Sequence, residues 1–368
     1  VASLVSVTGN DATVNMKSNY PTVVKKVNDN KNADDVNIGD TVTYTLTSKV
    51  PDMTGYDSYV FNFKDTLSAG LTFKEITSVT VGETTITKVD AGQEANDTYT
   101  LTQDGQNITI TMNNFLASNA NKAGQEIKVT YTATLNKNAV TGFDANKNSA
   151  TIEYSNKPGT TDKGTSEPSI VDVHTFNFTI FKYYLKGETQ TGLANAEFEL
   201  YKANEAGDAA DTNAKINIVD EGNGVYRQAT ADEAKATDFT SAKIVSDADG
   251  KVLVKGLDAG TYYLRETKAP DGYNKLLSDI KVEIKPVYDK TTGKLTSYSV
   301  DYTYNGTTTT GKEIKDTKTS PEVAVENKTG AQLPSTGSKG ALMVTLAGIV
   351  LFGALTASKA FGKKKANN

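Results

Sequence analysis

Residues 176–184 read FNFTIFKYY, a run in which bulky apolar side chains occupy alternate positions. Successive side chains of a β-strand point to opposite faces, so Phe176, Phe178 and Ile180 share one face. Lys182 has the same parity and ends this apolar row with an amine. Because large apolar side chains pack against a hydrophobic core, the parity predicts that the amine of Lys182 also faces that core.

Most of the remaining chain alternates in the same way. Thr, Val, Tyr, Ile and Phe recur at every second position in short runs, and turn clusters of Gly, Asn and Asp separate the runs. Clear examples are residues 42–46, 107–111, 127–131 and 281–284. Short alternating strands with turn signals between them predict an all-β fold of two tandem immunoglobulin-like β-sandwiches.

Changes in composition divide the chain into parts. The stretch over residues 155–168 is rich in Asn, Gly, Thr, Lys and Pro, which predicts a linker or long connection between the two sandwiches. The stretch over residues 203–240 is rich in Ala, Asp, Glu and Asn, and it predicts an excursion from the second sandwich with room for a short helix. The predicted parts are the tail of a preceding segment or of a missing N-terminal domain (1–19), the first sandwich (20–168), the second sandwich (169–329) and a C-terminal signal (330–368).

The composition excludes several classes of function. The chain of 368 residues has no cysteine and a single histidine, His174. Disulfides and thiolate metal sites are therefore excluded, and a histidine-dependent triad or a multi-histidine zinc site is nearly excluded. The formal net charge is −5, and both signs are mixed along the chain, so no nucleic-acid partner is expected. We predict no cofactor, no metal ion and no enzymatic turnover.

The C-terminal end combines three features in a fixed order. The pentapeptide Leu333-Pro334-Ser335-Thr336-Gly337 precedes an uncharged, mostly apolar run over residues 341–358. Lys359, Lys363, Lys364 and Lys365 follow that run. As a helix, the run reaches roughly 27 Å, close to the thickness of the hydrocarbon part of a bilayer, and the lysines obey the positive-inside bias. The order predicts a transmembrane helix that halts export, with the pentapeptide just outside the membrane.

This three-part end resembles the cell-wall sorting signal of Gram-positive bacteria, whose pentapeptide pattern is Leu-Pro-any-Thr-Gly. The resemblance implies that a sortase cleaves between Thr336 and Gly337 and transfers the new acyl group to an amine. That amine belongs either to a peptidoglycan precursor or to another pilin subunit. The implied protein is secreted, anchored to the cell wall and displayed at the cell surface, and it meets the membrane only before sorting. The alternative is an ordinary single-pass anchor preceded by a chance pentapeptide.

Three strands of the second sandwich each end an apolar row with one polar side chain. Lys182 ends the first row, Glu266 shares a face with Tyr262 and Leu264, and Asn327 shares a face with Val323 and Val325. An amine in an apolar site has a lowered pKa and can act as a neutral nucleophile. A carboxyl group in the same site stays protonated and can donate a hydrogen bond to an amide oxygen. The set predicts an intramolecular isopeptide bond that forms once, with loss of ammonia.

A family resemblance makes this prediction specific. Residues 262–273 resemble the glutamate-containing box of pilin proteins, and Gly192, Leu193, Ala196, Phe198 and Leu200 fit the same module. The second sandwich is thereby similar to the B-type domain of the collagen adhesin family, which is used widely in pilins. The resemblance implies a cross-link from Lys182 to Asn327, with Glu266 as the promoting acid.

The first sandwich repeats the pattern with other residues. Lys25 shares a face with Val23 and Val27, Asp65 with Tyr59, Phe61 and Phe63, and Asn148 with Ala150, Ile152 and Tyr154. Together with residues 39–44, these stretches resemble the isopeptide-forming domain of fimbrial backbone subunits, the major pilins of the SpaA type. The resemblance implies a cross-link from Lys25 to Asn148, with Asp65 as the acid. Lys26 is the alternative nucleophile, although parity favours Lys25.

These patterns predict a structural subunit of a covalent, sortase-assembled pilus, or fimbrium. Its expected partners are a sortase, other pilin subunits and peptidoglycan. The alternative is a wall-anchored adhesin, or a minor pilin at the tip or base, that binds a ligand on the host surface. Pilus subunits of this kind carry a Tyr-Pro-Lys motif whose lysine joins the next subunit. Here the corresponding sequence is Tyr20-Pro21-Thr22, which has no lysine after the proline, and Lys17 lies nearby but outside the motif. The sequence therefore does not identify the acceptor lysine.

Overall fold

The structure is a computed structural model that describes residues 20–330. The first half of the described chain contains β1 (Val24–Val27), β2 (Ala33–Asp35), β3 (Thr41–Lys49), β4 (Phe61–Leu67), β5 (Leu71–Val81), β6 (Thr84–Thr85), β7 (Thr87–Lys88), β8 (Thr98–Asp104), β9 (Asn107–Met112), α1 (Phe115–Asn119), β10 (Glu126–Leu135), β11 (Asn146–Ser155), β12 (Lys163–Thr165) and β13 (Ser169–His174). The second half contains β14 (Phe176–Lys186), β15 (Thr189–Gly192), β16 (Glu197–Ala203), β17 (Ala210–Lys215), β18 (Ile218–Gly222), β19 (Val225–Gln228), α2 (Ala231–Lys235), β20 (Ile244–Val245), β21 (Lys251–Leu257), β22 (Gly260–Lys268), β23 (Ile280–Tyr288), β24 (Leu295–Tyr304), β25 (Thr307–Thr309) and β26 (Glu322–Glu326). The prediction of an all-β fold with more than one sandwich is confirmed.

The first sandwich consists of two sheets around one core. One sheet has the strand order β1-β3-β10-β5-β6, and the other has the order β2-β13-β11-β4-β9-β8-β7, with β12 beside β11. Strand β3 shows why the sheets bury one face, because Val42, Tyr44 and Leu46 point into the core while the threonines between them face outward. This is the period of two that the sequence predicts for a strand with one buried face.

The second sandwich has the same two-layer plan. Its first sheet has the order β15-β14-β21-β19-β18, with β26 pairing β14, and its second has the order β17-β16-β22-β23-β24-β25, with β20 beside β16. The first strand, β14, pairs in parallel with the last strand, β26. The opening and closing segments of the domain therefore lie side by side, although most of the domain separates them in sequence.

Three predictions about segments need correction. We predicted that the second sandwich begins at residue 169, but β13 pairs with β11, and Val171 and Val173 pack in the first core. The predicted linker over 155–168 folds back onto the first sandwich, because β12 within it pairs with β11. The excursion over 203–240 does contain a short helix, α2, but β17, β18 and β19 form much of the rest.

Helix α2 has a local reason to form where it does. The Thr230 side chain accepts a hydrogen bond from the backbone N–H of Glu233, and the Glu233 carboxylate accepts one from the backbone N–H of Thr230. This reciprocal capping box satisfies N–H groups that the first turn of a helix leaves without partners. The same carboxylate pairs with the Arg227 guanidinium of β19, which ties the helix to the sheet.

Backbone contacts join the two sandwiches directly. The Ile38 N–H donates to the carbonyl of Gly256 at 3.0 Å, and the Asp258 N–H donates to the Asn37 side-chain oxygen at 3.0 Å. Gly256 has a φ of 83°, and a Cβ atom there would lie 2.7 Å from the Ile38 side chain. Glycine is therefore required at this contact, both for the backbone conformation and for the close approach.

Several predictions concern residues outside the described range. The tail at 1–19 with Lys17, the pentapeptide Leu333–Gly337 and the predicted transmembrane run at 341–358 all lie outside residues 20–330. Within that range, no helix has the length and apolar character needed to cross a membrane.

Candidate functional site

The second sandwich brings Lys182, Glu266 and Asn327 together inside its core. Lys182 lies on β14 and pairs with Val325 of β26, and Asn327 follows β26 and donates its backbone N–H to the Tyr183 carbonyl at 2.9 Å. Glu266 comes from β22 in the opposite sheet. All three are buried, and the Lys182 side chain has no exposed surface.

The carboxylate of Glu266 lies between the amine and the amide. Its Oε1 is 2.9 Å from Lys182 Nζ, an ion-pair contact that is poorly aligned for a hydrogen bond. Its Oε2 accepts hydrogen bonds from Asn327 Nδ2 at 3.3 Å and from the Leu276 backbone N–H at 2.7 Å. Burial lowers the pKa of the Lys182 amine to about 8, and the charge of Glu266 opposes this shift only in part. The amine is thus easier to deprotonate than an exposed lysine.

The first sandwich holds an equivalent set on different strands. Lys25 lies on β1, whereas Asp65 and Asn148 lie on β4 and β11 of the opposite sheet. Strands β4 and β11 pair so that Asp65 stands opposite Ala150, two residues from Asn148. The three side chains are buried, with 1% of Lys25 exposed.

The contacts of Lys25 are closer than those of Lys182. Its Nζ donates to Asp65 Oδ2 at 2.5 Å, to Asn148 Oδ1 at 2.7 Å and to the Tyr131 hydroxyl at 2.8 Å. The amine lies 5.0 Å from the centre of the Tyr44 ring and 5.2 Å from that of Tyr131. At these distances the faces of aromatic rings attract a charged amine. Burial lowers the pKa of this amine to about 8, against the opposing charge of Asp65.

Lys26, the alternative nucleophile, points elsewhere. It is only half-buried, and its Nζ donates to the Asn32 side-chain oxygen at 2.6 Å. The structure therefore places Lys25, and not Lys26, beside the acid and the asparagine.

Sequence reasoning missed Tyr131. It has the same parity as Ile127 and Val129 on β10, so the alternation marks it as a core residue, and it is buried. Its hydroxyl donates to Asp65 Oδ2 and accepts from Asn148 Nδ2, both at 2.7 Å. The available signal was a polar atom on an inward-facing tyrosine, because a buried hydroxyl needs hydrogen-bond partners.

The two sites share one chemical arrangement. In each, an amine with a lowered pKa, a carboxyl group and a carboxamide share an enclosed apolar pocket between two sheets. A neutral amine can attack a carboxamide carbon, and a neighbouring acid can move protons between the nitrogen that attacks and the nitrogen that leaves. Among residues 20–330, no group of three or more metal-ligating side chains is present.

The two tandem sandwiches make this a multidomain all-β protein, and a family model matches within each of them. Residues 38–158 match the family described as Gram-positive pilin backbone subunit 2, Cna-B-like domain. Residues 184–299 match the SpaA prealbumin-like fold domain. The chain therefore carries a Gram-positive pilin backbone domain followed by a SpaA-type domain, and this predicted resemblance is confirmed.

Solved structures show the same fold across both sandwiches. The pilus 2b backbone protein of group B streptococcus is 26% identical, with a TM-score of 0.57 over 84% of this chain and 99% of that one. A C-terminal fragment of a major pilin of Streptococcus agalactiae is 19% identical, with a TM-score of 0.54 over 84% of this chain and 100% of that one. The T6 backbone pilin of Streptococcus pyogenes is 17% identical, with a TM-score of 0.53 over 84% of this chain and 70% of that one.

A curated relative matches a smaller part of the chain. Platelet adherence protein A of Streptococcus gordonii is 32% identical over 128 residues, which are 34% of this chain. The chain spans about 3% of the length of that relative.

Proposed function

We propose that this chain is a structural subunit of a pilus on the surface of a Gram-positive bacterium. The observation that carries the proposal is the pairing of a pilin backbone domain with a SpaA-type domain, in a fold shared with a pilus backbone protein over 84% of the chain. Each domain contributes to a polymer by holding its shape, and the chain needs no catalytic turnover for this role.

Covalent bracing inside each sandwich is part of the proposal. The amine of Lys182 attacks the side-chain carbonyl carbon of Asn327, and ammonia leaves while Glu266 shuttles the proton. Lys25, Asn148 and Asp65 do the same in the first sandwich. The reaction also replaces a buried charged pair with a neutral amide, which removes the cost of keeping ions out of water. A protein without cysteine would thereby gain the durability that disulfides give other secreted proteins.

The positions of the cross-linked residues suit a protein under tension. Lys182 lies on the first strand of the second sandwich, and Asn327 directly follows its last strand. Lys25 lies on the first strand of its own domain, and Asn148 lies on β11, near the end of that domain. A pull along the chain would pass through each cross-link, so the strands between the linked residues would not bear it.

The intact mass of residues 20–330 tests the bracing. We expect the protein to be lighter than its plain sequence by two ammonia molecules, one for each cross-link. Digestion should then release one branched peptide that contains Lys25 and Asn148 and another that contains Lys182 and Asn327. A mass equal to that of the plain sequence would remove the cross-links from the proposal and leave the fold and family unchanged.

Anchoring and polymerisation would proceed through the pentapeptide at 333–337. We propose that a sortase cleaves between Thr336 and Gly337 and joins the chain to another pilin subunit or to peptidoglycan. Immunoblots of cell-wall extracts should show a ladder of high-molecular-weight bands, and Thr336→Ala should abolish the ladder because the acyl donor is altered. A single discrete band in the unaltered strain would instead favour a singly anchored adhesin or minor pilin.

A further inference from the structure

The Tyr131 hydroxyl touches every reactive group of the first site. It accepts from Lys25 Nζ at 2.8 Å and from Asn148 Nδ2 at 2.7 Å, and it donates to Asp65 Oδ2 at 2.7 Å. The second site has no matching hydroxyl among the contacts of Glu266 in the described structure, because that carboxylate meets Lys182 and Asn327 directly.

The difference follows from the length of the acidic side chain. Glutamate is longer than aspartate by one methylene, and the two oxygens of Glu266 reach the amine on one side and the amide nitrogen on the other. In the first site, Asp65 Oδ2 reaches the amine at 2.5 Å, but no hydrogen bond among the described residues joins Asp65 to Asn148 Nδ2. The Tyr131 hydroxyl occupies the gap between them.

We propose that Tyr131 is a catalytic residue of the first cross-link, and that it delivers a proton to Asn148 Nδ2 as this nitrogen leaves as ammonia. This inference rests on the cross-link in the proposed function. It assigns to aspartate and tyrosine together the role that glutamate alone has in the second site.

The proton steps balance as follows. Lys25 first gives one proton to Asp65, which leaves a neutral amine and a protonated carboxyl group. The amine attacks Asn148 Cγ, so the Nζ–Cγ bond forms and the carbonyl oxygen carries the negative charge. Asp65 then passes its proton to the Tyr131 oxygen while Tyr131 gives its own proton to Nδ2. The Cγ–Nδ2 bond breaks, ammonia departs, and Asp65 takes the remaining surplus proton from Nζ.

The environment of Tyr131 fits a neutral proton carrier. Burial raises the pKa of its hydroxyl well above the ordinary value, and the neighbouring charge of Asp65 adds to this rise. The hydroxyl therefore gives up its proton only as it receives another from Asp65. A proton relay requires this coupling. Tyr44 offers a comparison, because its ring also lies against the Lys25 amine and its hydroxyl lies close to the Asn148 side chain. That hydroxyl makes no hydrogen bond to Asp65, so it has no acid from which to take up a proton.

The test follows bond formation in the part of the chain that the structure describes, residues 20–330, by intact mass at intervals after cell-free synthesis. Peptide mapping assigns each lost ammonia to its domain. In Tyr131→Phe, we expect the first cross-link to form about 100-fold more slowly, the size of a lost general-acid contribution. The second cross-link should form at its normal rate in the same molecules, and the eventual, slow formation of the first shows that the first sandwich still folds.

Two further variants separate the relay from a general effect on the pocket. Tyr44→Phe removes a hydroxyl from the same pocket and should change the rate by less than about threefold. Adding Asp65→Glu to Tyr131→Phe should restore much of the rate, because the longer acid reaches the amide nitrogen as Glu266 does. A normal rate in Tyr131→Phe, equal slowing in Tyr44→Phe or no rescue by Asp65→Glu would overturn the inference. Absence of both ammonia losses in the unaltered protein would instead overturn the proposed cross-links.

Discussion

Glu266→Ala should abolish the cross-link of the second sandwich and lower its thermal stability by roughly 20 °C or more. Two effects add. Losing the bond between Lys182 and Asn327 frees a loop of about 145 residues in the unfolded chain, which by analogy with disulfides costs about 5 kcal/mol. Removing the carboxylate also leaves the Lys182 amine buried without its partner, at a cost of ~3–5 kcal/mol. The sum is comparable to the whole stability of an ordinary domain.

Intact mass, thermal unfolding and resistance to trypsin measure this effect. The variant should retain one of the two ammonia molecules, and the first sandwich should keep its own cross-link. Glu266→Gln separates shape from chemistry, because it nearly preserves the volume but cannot shuttle a proton, and it too should retain the ammonia. Glu313→Ala is the matched control, since this glutamate is exposed and pairs with Lys315 at the surface. Unchanged resistance in Glu266→Ala would contradict the tension-bearing role.

Lys25→Met should abolish the cross-link of the first sandwich, whereas Lys26→Met should leave it intact. Methionine fills a similar volume, so the core stays packed, but the nucleophile is gone and the bond to Asn148 cannot form. Lys25 and Asn148 lie 123 positions apart, so the lost bond costs about 5 kcal/mol through the unfolded chain.

Lys25 and Lys26 form a closely matched pair for this test. They differ by one position, carry the same charge and lie on the same strand, and only their facing differs. The readouts are the number of ammonia molecules lost and the melting temperature of each variant. If Lys26→Met lost the cross-link and Lys25→Met kept it, the assignment of the nucleophile would be wrong.

Much of the fold followed from local rules. The alternation in residues 176–184 placed Phe176, Phe178 and Ile180 in the core, and all three are fully buried. The same parity distinguishes Lys25 from Lys26 in the sequence alone. It worked because a strand has a side-chain period of two, so facing depends only on position along the strand.

Other features did not follow from local rules. Residues 169–174 were assigned to the second sandwich because a polar stretch precedes them, yet they complete a sheet of the first. Their partner strand, β11, lies on the far side of that polar stretch, and composition carries no information about which strands pair. Tyr131 was missed for a related reason, since its role depends on contacts with strands far from it in sequence.

The sequence by itself determined that the chain is all-β, which side chains point inward, and that each sandwich contributes an inward amine, acid and amide. Only the tertiary structure decided which of those inward groups meet. Facing is a property of one strand, whereas a meeting across two sheets depends on the register of several strands and on how the sheets pack. For the same reason, only the folded protein revealed that Glu266 reaches both reaction partners directly while Asp65 reaches the second through the Tyr131 hydroxyl.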